Sequence, residues 1–234
     1  MIIFFKILLA HLFGDFIFQS NKWVADKNQH KHKSKYLYFH SLLHGLLAWL
    51  LVFRVDFWPY AIVIMVSHYL IDLMKLTYQK DETQKSWFFI DQFLHISILA
   101  IVSWAFLGFE YLTVPYLPSQ FWLILIAVTF LTTPSSIVIK MLISTWTPMV
   151  GANDDSLQNA GKYIGILERL LIFTFILTQH WEGIGFLIAA KSIFRFGDLQ
   201  ESKDRKLTEY ILIGTLLSFS LAVFTGLLLS ISIN

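Results

Sequence analysis

The sequence carries four pairs of histidine or aspartate residues whose two members lie four positions apart. The pairs are His11 with Asp15, His40 with His44, His68 with Asp72, and Asp91 with His95. On an α-helix, residues i and i+4 lie on one face, so each pair can direct both side chains towards a common point. Imidazole nitrogens and carboxylate oxygens together suit Zn, Mn or Fe, and helical bundles hold two such ions with ligands of these types. The pairs therefore predict a site for one or two divalent metal ions.

A metal ion in such a site would support hydrolytic chemistry, because it activates a bound water and polarises a phosphoryl or carbonyl oxygen. The candidate catalytic residues are Asp15, Asp72 and Asp91, since a carboxylate can act as a general base. Each aspartate can instead be a metal ligand, or can accept the second N–H of a ligating histidine. The spacing of the residues does not rank these roles.

The composition places these pairs in a membrane protein. The chain has 234 residues, of which 56% are hydrophobic and only 15% are charged, whereas soluble proteins carry roughly a quarter charged residues. The absence of cysteine excludes disulfides and thiolate metal sites. Nucleic acid is not an expected partner, because the one basic cluster is short and adjoins a hydrophobic segment. The expected partner is membrane lipid.

Hydrophobic segments of about 20 residues can cross a membrane as helices, and the sequence has eight candidates. They are 2–19, 37–54, 58–77, 87–109, 119–142, 161–179, 181–196 and 208–232. The pattern predicts an all-α polytopic protein of about eight transmembrane or re-entrant helices, with the seventh segment short enough to form a re-entrant hairpin with the sixth.

Three regions follow from this pattern. Residues 1–142 are predicted to form a four-helix bundle with the polar site, together with a fifth span. Residues 143–160 are a connecting loop, and residues 161–234 form a C-terminal helical hairpin and the last span.

The positions of the basic residues predict the orientation. All Lys and Arg residues except Lys6, Arg54 and Arg169 lie on alternate connections between the predicted spans. Cytoplasmic connections carry an excess of Lys and Arg, so we expect an even number of crossings with both termini outside. All four His/Asp pairs then lie about one to two helical turns inside the cytoplasmic interface. Ionisable side chains in a membrane are costly and face a bundle interior, so this common depth favours one common site over separate capping roles.

Further polar residues inside the spans are candidates for binding a substrate. Gln19, Lys75 and Gln92 lie at the depth of the pairs. In the second half of the chain, the polar residues predict a pocket for an anionic head group; they are Glu168, Arg169, Lys191 and Arg195. The alternative for this second group is a structural ion pair of Glu168 with Lys191 or Arg195.

Several of these segments resemble one membrane-protein family. The stretch "HLFGDFIFQSNKWVADK", the His40/His44 pair, "SHYLIDLMK" and "DQFLHI" resemble the bacterial family domain of unknown function 3307 over roughly the first 110 to 130 residues. The segments "AGKYIGILERLL", "GFLIAAKSIFRFGD" and "EYILIGTLLSF" resemble a C-terminal extension that many members carry. This resemblance implies no activity. The His-x3-Asp pattern is also distantly similar to inner-membrane metal-dependent hydrolases.

The leading hypothesis is a metal-dependent hydrolase in the bacterial inner membrane that acts on a lipid or amphiphile bearing a phosphate or ester. A second hypothesis is a transporter in which the same histidines and aspartates move protons or a divalent cation. A third is a non-catalytic binding protein, or a haem protein with His44 and His68 as ligands. The substrate, the identity of the metal and the oligomeric state are left open by the sequence.

Overall fold

The computed structural model describes residues 2–107, 118–146, 155–201 and 205–233. These residues are almost entirely helical, and no strand occurs among them, which confirms the all-α prediction for this part of the chain. The chain separates into two compact units, Met1–Ile126 and Ala127–Asn234. The predicted loop 143–160 lies largely outside the described residues.

The first unit contains five complete helices and the beginning of a sixth. They are α1 (Ile2–Phe13), followed by a π-helical turn (Gly14–Phe18), then α2 (Asn21–His30), α3 (Lys35–Val52), α4 (Trp58–Tyr78), α5 (Gln84–Leu107) and α6 (Ser119–Leu131). The second unit contains α7 (Thr133–Ile143), α8 (Asp155–Leu177), α9 (Trp181–Glu201) and α10 (Arg205–Ile233).

Among the described residues, three helical segments are long and apolar enough to cross a membrane: Val55–Tyr78, Asp81–Phe106 and Thr208–Ser232. Two bent helix pairs raise the number to five if each pair is one span. These pairs are Ile2–Phe18 with Asn21–Lys33, bent by 89°, and Ser119–Leu131 with Thr133–Trp146, bent by 46°. The structure is therefore compatible with a membrane protein, while the expected total of eight spans stays a prediction.

The first predicted span does not continue as a straight helix to Gln19. The helix widens into the π-helical turn at Gly14–Phe18, and Gln19 follows it in an extended conformation with φ −77° and ψ 112°. Ser20 then begins α2, because its Oγ accepts a hydrogen bond from the Trp23 N–H at 3.4 Å and satisfies one of the unpaired N–H groups of the first helical turn. Gln19, eight positions after His11, therefore does not continue the helical face that carries His11.

The apolar core of the first unit is formed by α1, α3, α4 and α5. Its buried side chains include Ile7 on α1, Val52 on α3, Ile64 on α4 and Leu99 on α5. They precede the His/Asp pairs on α1 and α4 and follow them on α3 and α5. If neighbouring helices run in opposite directions, this order places the apolar core and the polar residues at different levels along the helix axes, with the whole core on one side of the polar residues.

Small residues allow α3 and α4 to approach each other closely. A Cβ atom on Gly45 of α3 would lie 3.0 Å from the carbonyl oxygen of Ala61 on α4. Ala48 and Ala61 are themselves buried. Packing between small residues is a main source of helix association in a membrane, where lipid removes the hydrophobic driving force between helices.

In the second unit, Arg169 stabilises the break between α6 and α7. Pro134 at the start of α7 lacks an N–H and cannot continue the hydrogen-bond ladder of α6. The guanidinium of Arg169, on α8, donates to the carbonyl oxygens of Leu131 and Thr132 at the break, at 2.7 and 3.1 Å. It also donates to the hydroxyls of Ser136 and Ser218 at 2.7 and 3.1 Å. This buried arginine therefore links the break to α8 and α10 through four hydrogen bonds.

Replacement of Arg169 by methionine should destabilise the second unit. The Leu131 carbonyl oxygen would lose the Arg169 donor, and a buried unsatisfied acceptor costs about 1–3 kcal/mol. The Thr132 carbonyl oxygen would keep its hydrogen bonds from Ser136. We expect thermal unfolding in detergent, followed by circular dichroism, to begin several degrees lower than in the wild type. Lys140→Met, which removes an exposed lysine from α7, is the matched control. Equal unfolding temperatures for the two variants would contradict the role of Arg169.

Candidate metal centre

The structure brings all eight residues of the four His/Asp pairs together inside the first unit. Each of four segments contributes two residues: α1 with its π-helical turn, α3, α4 and α5. The five histidines, Asp72 and Asp91 are buried, and the side chain of Asp15 retains only 11% exposure. The i and i+4 spacing on straight helices accounts for three pairs. In the first pair, the His11 Nε2 still lies 3.6 Å from the Asp15 Oδ2, although Asp15 lies in the π-helical turn.

The carboxylate of Asp15 lies at the centre of the first group of donors. Its Oδ1 is 3.1 Å from the His40 Nε2, 3.0 Å from the His44 Nε2 and 3.5 Å from the His68 Nε2. The His44 nitrogen does not have hydrogen-bond geometry and has no other partner. Two ligands that bind one tetrahedral ion at about 2.1 Å are about 3.4 Å apart. The N···O distances around Asp15 thus match the spacing of donors around a common cation.

A second group of donors surrounds His95. Its Nε2 lies 3.5 Å from the Asp72 Oδ1 and 3.4 Å from the Asp91 Oδ1. Neither the His95 Nε2 nor the Asp91 Oδ1 has a hydrogen-bond partner, although both atoms are buried. Buried polar atoms without partners are rare in folded proteins because they lose their hydration without compensation. Two such atoms facing each other indicate a place for a ligand.

Three overlapping sets of donors meet the distance requirement for a metal ion. They are His11, Asp15, His44 and His68; His40, His68 and Asp72; and Asp72, Asp91 and His95, with the donor atoms of each set within 4.8 Å of one another. The first and third sets share no residue, so they can serve two ions at once. Contacts between ring nitrogens link them, because the His68 Nδ1 is 2.8 Å from the His95 Nδ1.

A small cavity lies beside the histidines. It has a volume of about 10 Å³ and is lined by His11, His44, His68 and His95, with the remainder of its wall formed by Ile64, Ser67, Ile98 and Leu99. This volume is close to the minimum that a single water molecule requires. Four imidazole rings around a space of this size suit one small polar species, such as a metal ion or a water.

Amide side chains hold several of the donors. The Gln19 Nε2 lies 2.9 Å from the His40 Nε2. The Gln92 Nε2 donates to Asp15 at 2.9 Å and to Asp91 at 3.2 Å, and its Oε1 lies 3.3 Å from the His11 Nε2. Partners of this kind orient histidine and carboxylate ligands and fix the tautomer of the ring. The structure therefore gives both glutamines a positioning role, and their predicted contact with substrate stays a prediction.

Two lysines make ion pairs with the aspartates. The Lys75 Nζ donates to the Asp91 Oδ2 at 3.0 Å, and the Lys27 Nζ donates to the Asp72 Oδ2 at 2.7 Å. Lys75 was predicted from the sequence to belong to the site, whereas Lys27, one of five lysines in residues 20–36, was not. No local pattern could have found it, because Lys27 is brought to α4 by the 89° bend before α2.

The polar residues predicted in the C-terminal half belong to the second unit. Lys191 donates to Glu168, which is the structural ion pair that the sequence analysis left open. Arg169 makes the hydrogen bonds at the α6–α7 break described above. Arg195 lies on α9, and its side chain is outside the described part of the structure. The anionic head-group pocket predicted from these residues stays a prediction.

Gly14 is required at the beginning of the π-helical turn because His44 lies directly against it. A Cβ atom at this position would be 2.4 Å from the Cε1 and Nε2 atoms of the His44 ring. The ring has little room to move, since its centroid is 3.6 Å from the centroid of the His68 ring. A glycine here lets α1 and α3 approach closely enough for both to contribute donors.

Replacement of Gly14 by alanine should displace His44 and weaken metal binding by about 10- to 100-fold, the range found when the support of a metal ligand is lost. Competition between the purified protein and a chelator of known zinc affinity measures this change. Gly185→Ala is the matched control, since a Cβ there meets no atom within 4 Å. An unchanged zinc affinity in Gly14→Ala would show that His44 is not a ligand.

Comparison with known proteins identifies the family but no characterised relative. The family model described as protein of unknown function (DUF3307) matches residues 3–124, which contain all eight residues of the cluster. No curated protein and no solved structure matches the chain. The match covers more than half of the 234 residues and confirms the family resemblance inferred for roughly the first 110 to 130 residues. The chain therefore belongs to the DUF3307 family of proteins of unknown function.

Proposed function

We propose that this protein is a membrane-embedded, metal-dependent hydrolase that acts on a phosphate or ester group of a lipid or amphiphile. The observation that carries the proposal is the convergence of buried histidine and aspartate donors from four helices into two sets without a common residue. Carboxylate and imidazole ligands of this kind hold pairs of ions in other helical bundles. Zn, Mn or Fe fits this ligand chemistry.

The unpaired atoms in the cluster support a metal centre over a purely structural network. A structural network inside a membrane should satisfy its polar atoms, because lipid cannot. Here the His44 Nε2, the His95 Nε2 and the Asp91 Oδ1 lack hydrogen-bond partners although each lies within 3.5 Å of an oppositely polar atom. A cation bound by the two histidine nitrogens would lie next to the Asp91 Oδ1, so this oxygen would face the cation and its bound water.

Asp91 is the best candidate for the general base. Lys75 and Gln92 hold its Oδ2 at 3.0 and 3.2 Å, while its Oδ1 has no hydrogen-bond partner and is free to accept a proton. Asp15 differs, since both of its oxygens contact other residues of the cluster. A bound divalent ion would supply an activated water and a polarised substrate oxygen, and Asp91 would accept the proton of that water.

The membrane arrangement belongs to the same proposal. Eight helices cross or enter the bacterial inner membrane, with both termini outside and the Lys-rich connections in the cytoplasm. The cluster then faces the cytoplasmic leaflet. The apolar core around Ile7, Val52, Leu99 and Phe106 lies on the opposite side of the cluster. A transporter needs a polar path across the whole membrane, and this apolar core lies where such a path would continue. The core therefore favours an enzyme whose site opens to one side of the membrane.

Metal analysis of the purified protein tests this proposal most simply. We expect one to two equivalents of a transition metal per chain in the wild type. His68 belongs to two of the three donor sets, so His68→Ala should lose most of the metal. His180→Ala, in which an exposed histidine of the second unit is removed, should retain it. Sub-stoichiometric metal in the wild type, with no difference between the two variants, would exclude a metal enzyme.

The roles of the aspartates can be separated by comparing metal content with turnover. Asp91→Asn should retain at least one ion, because the four-residue set around Asp15 is untouched, yet it should lose turnover by about 100-fold or more, as expected for a general base. Asp15→Asn should lose both metal and turnover. The assay uses para-nitrophenyl phosphate and para-nitrophenyl butyrate with the detergent-solubilised protein. Wild-type turnover in metal-loaded Asp91→Asn would exclude Asp91 as the base.

A further inference from the structure

Lys27 and Lys75 each form an ion pair with one aspartate of the donor set that consists of Asp72, Asp91 and His95. Lys27 contacts Asp72 and Lys75 contacts Asp91, and both aspartates also contact His95. The side chain of Lys27 is 8% exposed and that of Lys75 is 26% exposed. The two cations therefore border the same part of the cluster, and the accessible one is Lys75.

The charge balance of the cluster changes sign when a metal ion binds. Its three carboxylates exceed its two ammonium groups by one negative charge when the histidines are neutral. One divalent ion turns this into one excess positive charge, and a second ion makes the excess larger. An uncompensated charge buried within a membrane protein is costly. A bound anion would thus stabilise a loaded centre.

We infer that Lys27 and Lys75 bind the phosphate group of the substrate beside the metal centre. This inference rests on the proposed function and narrows it from esters in general to phosphate compounds. A carboxylic ester offers only an uncharged carbonyl oxygen and would leave the excess positive charge uncompensated. A phosphate group carries negative charge on several oxygens that ammonium groups and metal ions bind together.

The ion pairs seen in the structure explain how the lysines would become available. Asp72 and Asp91 each bind a lysine through Oδ2, while each directs Oδ1 towards the His95 Nε2. A metal ion bound next to these carboxylates would withdraw negative charge from both ion pairs. The ammonium groups would then lie next to the metal with N–H bonds free for a phosphate oxygen.

Titration of the metal-loaded protein in detergent with inorganic phosphate, followed by calorimetry, tests this inference. We expect phosphate to bind the wild type and to bind Lys27→Met and Lys75→Met about 10- to 100-fold more weakly, as expected for loss of a charge-assisted hydrogen bond. Lys22→Met is the control, because Lys22 is an exposed residue of the same helix as Lys27. Equal phosphate affinity in all four proteins would overturn the inference.

Metal content, measured in each sample, separates this inference from the proposed function. A wild type that binds metal but not phosphate retains the metal centre and overturns the anion site. A wild type without metal overturns the proposed function and the anion site with it, because Lys27 and Lys75 then stay paired with Asp72 and Asp91. Lys75→Arg keeps the positive charge and should restore most of the binding lost in Lys75→Met. If both variants at position 75 lose the metal, the lysine has a structural role and the inference is wrong.

A lipid head group and a free phosphate compound share this chemistry, and a second titration distinguishes them. Dihexanoyl phosphatidic acid and dihexanoyl phosphatidylcholine are compared with inorganic phosphate on the same metal-loaded protein. Tighter binding of phosphatidic acid than of inorganic phosphate assigns the site to a lipid phosphate, and equal binding assigns it to a free phosphate compound. Equal binding of phosphatidylcholine and phosphatidic acid, unaffected by Lys27→Met, would contradict recognition of a phosphate by the two lysines.

Discussion

Polar groups inside a membrane must find their partners within the protein, because the hydrocarbon offers none. In the first unit this constraint is concentrated on the carboxylate of Asp15, which contacts His40 and His44 from α3, His68 from α4 and Gln92 from α5. The four segments can meet only where their backbones approach closely. The glycine at position 14, against which the His44 ring packs, makes this approach possible.

The need for partners also accounts for other buried polar groups of the chain. Arg169 in the second unit donates hydrogen bonds to the carbonyl oxygens of Leu131 and Thr132 at the α6–α7 break. Lys27 and Lys75 neutralise two of the three aspartates of the cluster. Yet a few atoms around His44, His95 and Asp91 remain without hydrogen bonds. Because every other charged group of the cluster has a partner, these atoms mark the position where we propose that a cation binds.

The predictable part of the site is the part determined within single helices. The spacing of His40 with His44, or of His68 with Asp72, fixes their common face without any knowledge of the fold. The end of the first span at residue 19 was predicted, but the π-helical turn and helix α2 were not, because Phe16, Ile17 and Phe18 continue the apolar pattern of α1 and a serine at position 20 is a weak helix-start signal by itself. The role of Lys27 could not be predicted from a local pattern, because its partner Asp72 is 45 positions away. Contacts of this range depend on how the helices pack.

X-ray absorption at the metal edge tests the central claim, that the buried histidines and aspartates bind a metal ion. The purified protein, loaded with zinc, should show only nitrogen and oxygen ligands at about 2.0–2.1 Å. It should also show the outer-shell scattering of several imidazole rings, and this scattering should decrease in His68→Ala. A spectrum with oxygen ligands alone, or one that is identical in the wild type and His68→Ala, would contradict the account.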